Sequence, residues 1–154
     1  MTIETMAHDY EASTNEFLIA VASISPSQYD RRVEGGWSPR QVIHHVADSE
    51  AQSYARLRRL VAEPAGVVIQ GYDEALWAAS PRLGYEELPF EHSLAVFSAV
   101  RQASLDVLRR LDENDLEREG VHTESGPYSV RTWVDTYVRH PKEHAAQLLE
   151  AANS

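Results

Sequence analysis

The stretch from Gly36 to Glu50, GWSPRQVIHHVADSE, combines a helix start with two adjacent histidines. Ser38, followed by proline and then by Gln41, has the spacing of a capping box, in which both side chains bond to free backbone N–H groups at the start of a helix. Apolar residues recur beyond it at the spacing of a helix with one buried face. The stretch therefore predicts a long, half-buried helix that carries His44 and His45 in its first two turns.

Apolar periodicity extends to three other segments of the chain. The spacing predicts long helices over roughly residues 10–24, 38–62, 91–111 and 129–152. A segment of about 25 residues between the second and the third contains Gly and Pro breaks and one short helical turn at 73–79, and connections of this length often cross over a fold. No segment has the alternating pattern of a strand. The pattern predicts an all-α protein, with one domain over residues 1–154, built as a four-helix bundle with long crossover connections.

Composition and charge exclude several classes of partner. The chain has 14 Lys and Arg against 24 Asp and Glu, a formal net charge of −10, which repels nucleic-acid phosphates and anionic lipids. No apolar run approaches the ~20 residues of a membrane-spanning helix, and the N-terminus lacks the pattern of a secretion signal, so a cytoplasmic location is expected. The chain contains no cysteine, which leaves His, Asp and Glu as metal ligands.

The last predicted helix carries a pair of histidines. His140 and His144 are four residues apart, so their side chains leave one face of the helix as neighbours and can share an ion. Pro141 lies between them and deprives the carbonyl of Tyr137 of its helical partner. Such a pair also occurs by chance as two surface neighbours, and a zinc-type site needs at least one further protein ligand.

The third ligand has to come from another part of the chain. At 100° per residue, His45 lies about 60° from Val42, on the flank of the buried stripe, while His44 points further round toward solvent. The position on the helix therefore favours His45 over His44. The other histidines stay open as candidates, namely His8, His92 and His122.

The order of the motifs resembles that of a known family. The segments GWSPRQVIHHVADSE, YDEALW, SL at the start of the third long helix, and HPKEH on the last one follow each other in this order. From about Tyr29 to Glu150 the chain resembles the DinB/YfiT-like superfamily, in particular its YfiT branch of metal-dependent hydrolases. The resemblance implies a four-helix bundle, often a homodimer, in which His45, His140 and His144 hold a divalent metal.

The resemblance also implies an enzyme that acts on a small molecule, as a metal-dependent hydrolase or as a transferase of low-molecular-weight thiols. Three neutral histidines leave the charge of the ion uncompensated, which lowers the pKa of a bound water or thiol. Zinc is the expected ion, with nickel and iron as alternatives, because three-histidine sites accept all three. Two motifs depart from the branch: Glu50 stands where a further histidine is common, and RHPKEH replaces WHGKHH.

Asp48 is the expected general base or orienting group, since it lies one turn beyond His45 on almost the same helix face. In the alternative interpretation, Asp48 is a surface carboxylate that stabilises the start of the helix. Glu50 and Glu143 are weaker candidates for the same role. The long connection can contribute further residues to the pocket, namely Tyr72, Asp73, Glu74 and Trp77.

Two other classes of function fit the same residues. One is a non-catalytic bundle that binds a metal or a small ligand, and the other is a structural or dimerisation module without an ion. The chain has no G-x-S-x-G, no P-loop, no G-x-G-x-x-G and no H-E-x-x-H, which excludes the hydrolase, nucleotide-binding and protease classes that those motifs identify.

Overall fold

The computed structural model describes residues 1–154 and contains five helices and three short strands. The helices are α1 (Ile3–Ser23), α2 (Pro39–Ala62), α3 (Glu74–Ala79), α4 (Glu91–Leu108) and α5 (Val130–Ala152). The strands are β1 (Val68–Ile69), β2 (Glu119–His122) and β3 (Gly126–Ser129), and single 3-10 turns cover Pro26–Gln28 and Asp115–Glu117. The four predicted long helices correspond to α1, α2, α4 and α5, and the short helical turn corresponds to α3.

Side-chain caps define where most of the helices begin. The capping box at Ser38 and Gln41 is confirmed, with both reciprocal bonds formed. Asp73 and Ser129 cap α3 and α5, each by accepting one backbone N–H through its side-chain oxygen. Helix α1 is longer than predicted, because Thr2 accepts the N–H of Thr5 and the helix starts at Ile3.

The long helices form the predicted four-helix bundle, and the order in which they pack requires crossovers. Helix α1 packs mainly against α5, while α2 packs against both α4 and α5. Helices α1 and α2 follow each other in the chain but are not extensively packed together, and the same holds for the long helices α4 and α5. The chain therefore crosses the bundle between α1 and α2 and again between α4 and α5. None of the helices is long and apolar enough to cross a membrane.

The protein also contains a small three-stranded sheet, and the prediction that the chain has no strand is wrong. β1 pairs in parallel with β2, and β2 pairs antiparallel with β3. Gly120 permits the first pairing, since a Cβ there would clash with the carbonyl oxygen of Val67. The sheet joins the long connection after α2 to the segment before α5.

The interior consists of two apolar clusters separated by buried polar side chains. One cluster includes Tyr10, Leu57, Leu105 and Trp133. The other includes Phe17, Val46, Phe97 and Leu148. Along α1, α2 and α4 the residues between these two sets are polar and almost fully buried. We call this set the polar layer: Ser13, Thr14, Glu50, Ser53, Arg101 and Ser104.

Candidate metal centre

Three histidine side chains meet between α2 and α5. The Nε2 atom of His45 lies 3.3 Å from Nε2 of His140 and 3.1 Å from Nε2 of His144, and the last two atoms are 3.0 Å apart. His45 lies beside the buried apolar stripe of α2 and faces α5. The four-residue spacing on α5 places the other two imidazoles on one face of that helix. The arrangement is the only cluster of three or more His or acidic side chains in the protein with metal-ligand spacing.

The triangle of nitrogens fits a divalent ion. Nitrogens bound to zinc at 2.0–2.1 Å in a tetrahedron lie about 3.3–3.4 Å apart, close to the separations observed here. Nδ1 of His144 is 2.7 Å from Oε1 of Gln147, an acceptor, so Nδ1 carries the proton and Nε2 is left unprotonated. The Nδ1 atoms of His45 and His140 are buried and have no hydrogen-bond partner. The donor set is therefore neutral imidazole nitrogens that converge on one point.

Burial keeps these imidazoles in the neutral form that binds metals. It lowers the pKa of His45 to about 3, with a further contribution from the neighbouring His144. Burial and the two other histidines lower the pKa of His140 to about 2. The pKa of His144 is also lowered by burial, against the opposing effect of Gln147. At neutral pH, a metal ion therefore has no proton to displace from the cluster.

We expect the metal-free protein to lose stability as the pH falls below about 6.5. In this range the unfolded chain protonates its histidines while the folded cluster stays neutral, so unfolding takes up protons and becomes more favourable. Each clustered histidine contributes a slope of up to about 1.4 kcal/mol per pH unit. Urea unfolding of metal-free protein at several pH values between 4 and 7 measures the slope. His140→Ala should show a shallower slope than the wild type, and equal slopes would contradict the lowered pKa of His140.

His44 is buried, and the prediction that it points toward solvent is wrong. Its Nδ1 lies 2.7 Å from Oγ of Ser93 and its Nε2 lies 2.9 Å from the carbonyl oxygen of Leu88. Its ring stacks on Tyr85. The segment before α4 folds over this side of α2 and covers the imidazole. Both ring nitrogens of His44 therefore have hydrogen-bond partners outside the cluster of three histidines.

Asp48 lies on α2, one turn beyond His45, and accepts a hydrogen bond from the hydroxyl of Tyr85. Burial raises the pKa of this carboxyl, while Tyr85 and His44 oppose the rise. Asp48 and His44 line one side of a cleft of about 340 Å³ next to Ser93. No hydrogen bond joins Asp48 to the histidine cluster, so its role as general base or orienting group stays a prediction.

A second cleft, of about 140 Å³, opens beside His140. Tyr72 and Glu74 from the long connection line it, as predicted for that segment. Asp73 instead caps α3, and the ring of Trp77 packs against Tyr72. The other lining residues are polar or aromatic: Ser49, Arg56, His122, Glu124, Thr136 and Tyr137. A small polar molecule in this cleft would lie next to a histidine of the cluster.

The remaining predicted candidates lie outside the cluster. Glu50 is fully buried in an ion pair with Arg101. Glu143 is exposed and paired with Arg139. His8 is exposed beside Asp9, His92 lines the cleft that contains Asp48, and His122 accepts backbone N–H groups through Nδ1.

Arg101 and Arg56 were not predicted from the sequence. Arg101 occupies the apolar stripe of α4, four residues from both Phe97 and Leu105, and a charged residue at such a position was the available signal. Arg56 contacts the hydroxyl of Tyr137 and the carbonyl oxygen of Gln70. Its contribution to the cleft depends on the path of the long connection, which periodicity does not describe.

Comparison with known proteins identifies the family of the chain and agrees with its fold. A family model described as the DinB superfamily matches residues 9–148. The chain belongs to the DinB superfamily. Within it, a protein of Oceanobacillus iheyensis named "Putative metal-dependent hydrolase" is 40% identical over 114 residues, which are 74% of this chain and 64% of that protein. A Bacillus cereus protein with the same designation is 31% identical over 147 residues, 95% of this chain and 83% of its own length.

Two solved structures have the same architecture. YfiT from Bacillus subtilis, described as "a probable metal-dependent hydrolase with an unusual four-helix bundle topology", superposes with a TM-score of 0.85 at 26% identity and covers 98% of this chain and 86% of its own. TT2238, a four-helix bundle protein, superposes with a TM-score of 0.67 at 22% identity and covers 97% of this chain and 99% of its own. The second comparison shows the fold alone, while the first also relates this DinB bundle to a protein described by its metal dependence.

Proposed function

We propose that His45, His140 and His144 bind one divalent metal ion and that the protein is a metal-dependent hydrolase or thiol S-transferase acting on a small molecule. The observation that carries the proposal is the triangle of Nε2 atoms, with sides of 3.0–3.3 Å, formed by imidazoles from two helices. Three nitrogen lone pairs this close repel each other unless a cation or a shared proton lies between them. The names of the relatives support the metal-dependent hydrolase.

A bound divalent ion would act as a Lewis acid and lower the pKa of a water or thiol beside it. Three protein ligands leave a position for such a molecule. The cleft beside His140 provides the approach, and its size and polar lining favour a small polar substrate. Zinc is the proposed ion, with nickel and iron as alternatives. The homodimer and the cytoplasmic location stay predictions of the family resemblance and of the composition.

Metal content and activity test the proposal together. Purified protein is stripped with a chelator and reloaded with one equivalent of Zn²⁺, Ni²⁺ or Fe²⁺, and bound metal is counted by elemental analysis. The reloaded samples are then assayed for hydrolysis of p-nitrophenyl acetate and for displacement of chloride from 1-chloro-2,4-dinitrobenzene by the thiolate of cysteine. We expect one ion per chain and metal-dependent turnover in one of the two assays. Failure to retain any of the three ions would refute the proposal.

Asp48 is the group that we propose as the general base or orienting carboxylate. Burial raises the pKa of its carboxyl, which favours its role as a proton acceptor, and it lies one turn from His45. Asp48→Asn should retain one metal ion per chain and lose most of the metal-dependent turnover, by a factor of about 10²–10⁴. The exposed Asp135 provides the matched control, and Asp135→Asn should behave like the wild type. Full turnover in the Asp48 variant would remove this residue from the mechanism.

A non-catalytic metal-binding bundle is the second candidate. The observation that favours it is the contact of Asp48 with Tyr85 and not with a clustered histidine. One bound ion per chain without metal-dependent turnover in either assay would support this candidate over the enzyme.

A further inference from the structure

Helix α5 contains a proline where a backbone donor is needed. Pro141 lies inside the helix and has no N–H, so the carbonyl of Tyr137 cannot receive the usual bond from the residue four positions later. Tyr137 is buried, and an unpaired buried carbonyl is unfavourable. Here Nη1 of Arg101, which belongs to α4, donates to that carbonyl at 2.8 Å. A side chain of another helix thus replaces the missing backbone donor.

The guanidinium of Arg101 is held in place on all sides. Only 1% of the residue is exposed, and the group lies over the ring of Tyr10. It makes five hydrogen bonds of 2.7–2.9 Å, as many as the guanidinium has N–H donors. The acceptors are Oγ1 of Thr14, Oε1 of Glu50, the carbonyl oxygens of Tyr137 and Tyr10, and Oγ of Ser13.

These acceptors connect both helices that supply the histidine cluster. On α5, the bonded carbonyl of Tyr137 is three residues before His140 and directly precedes the turn interrupted by Pro141. On α2, Glu50 is five residues after His45. Arg101 therefore fixes the backbone of α5 relative to α2 within one or two turns of the three imidazoles.

We infer that Arg101 is a positioning residue of the histidine cluster: its guanidinium substitutes for the N–H that Pro141 lacks and fixes the turn of α5 that carries His140. The inference rests on the proposed metal-binding function. If Arg101 only stabilises the bundle, its loss lowers stability and leaves the metal affinity of the folded protein unchanged. If Arg101 positions His140, the affinity falls as well, and a restored backbone donor recovers it.

Four proteins separate these two roles. They are the wild type, Pro141→Ala, Arg101→Met/Glu50→Gln, and the combination of all three changes. The double change removes the guanidinium together with the charge of its buried partner, and Pro141→Ala returns an N–H to the carbonyl of Tyr137. Arg131→Met, which breaks the exposed pair with Glu117 near the start of α5, is the control. Where the double variant does not fold, Arg101→Lys with and without Pro141→Ala replaces it.

Zn²⁺ affinity is measured by competition with a chromogenic chelator. We expect the dissociation constant to rise at least tenfold in the Arg101 variant and to recover most of that loss when Pro141→Ala is added, with Pro141→Ala alone and Arg131→Met close to the wild type. Unchanged affinity in the Arg101 variant, or no recovery with Pro141→Ala, would overturn the inference.

Amide hydrogen exchange of the metal-free proteins provides a readout independent of metal. Peptides covering 138–148 should exchange faster in the Arg101 variant and return toward the wild-type rate when Pro141→Ala is added. A wild type that binds none of Zn²⁺, Ni²⁺ and Fe²⁺ would refute the proposed function, while the exchange rates would still report whether Arg101 supports this turn. Equal exchange rates in all four proteins would overturn the positioning role.

Discussion

Replacing His45 by alanine is expected to leave the protein without bound divalent metal after dialysis. The cluster has three nitrogens, one from α2 and two from α5, and the variant retains only the pair on one helix. Two imidazoles rarely compete with water or chelators for a divalent ion. Elemental analysis of dialysed protein measures the loss, and His140→Ala and His144→Ala should be equally empty.

His44→Ala is the matched control, because it removes the neighbouring imidazole on the same helix. His44 bonds to Ser93 and to the carbonyl of Leu88, so this variant should be less stable but should retain the ion. The reverse pattern, a loaded His45 variant and an empty His44 variant, would show that the site uses the other face of α2.

Replacing Glu50 by alanine is expected to destabilise the protein by about 3–5 kcal/mol. The carboxylate is paired with Arg101 at 2.9 Å, and both side chains are fully buried. Without Glu50, the guanidinium stays in the interior with no counter-charge, which is the costly outcome for a buried pair. The midpoint of thermal unfolding should fall by on the order of 10 °C.

Glu117→Ala is the control for this second effect. Glu117 pairs with Arg131 at 2.8 Å, a distance similar to that of the buried pair, but the carboxylate side chain is 70% exposed. Surface pairs of this kind contribute about 0–1 kcal/mol, so the midpoint should hardly change. Similar losses in the two variants would contradict the importance of burial for the Glu50–Arg101 pair.

Local signals explain why the long helices, and the meeting of three histidines between two of them, could be predicted. The capping box at Ser38 depends on residues three apart, and the apolar stripe of α2 favoured His45 over His44 as the histidine that faces α5. The pairing of His140 with His144 follows from helical spacing alone. The sequence alone therefore indicates the two parts of the cluster, and the family resemblance predicts that they bind one ion together.

Features that depend on residues distant in the chain were not predictable in this way. β1 has two residues, too few for an alternating pattern, and its partner β2 lies about fifty positions later. His44 is covered by the segment that contains Leu88, whose path is not encoded in the periodicity of α2. The bond from Arg101 to the carbonyl that Pro141 leaves free could not be predicted either, because it joins α4 to α5 and these helices meet only in the folded protein.

The polar layer also determines the axial alignment of the bundle. A slide of α1 by one turn, about 5.4 Å, would keep part of its apolar contact with both clusters, since its apolar residues recur at turn spacing on either side of Ser13 and Thr14. It would, however, remove the carbonyl of Tyr10 and the hydroxyls of Ser13 and Thr14 from the guanidinium of Arg101, which would lose three of its five acceptors. Each unmatched buried donor costs about 1–3 kcal/mol. The bonds from Arg101 to these three acceptors therefore define the axial position of α1 in the bundle.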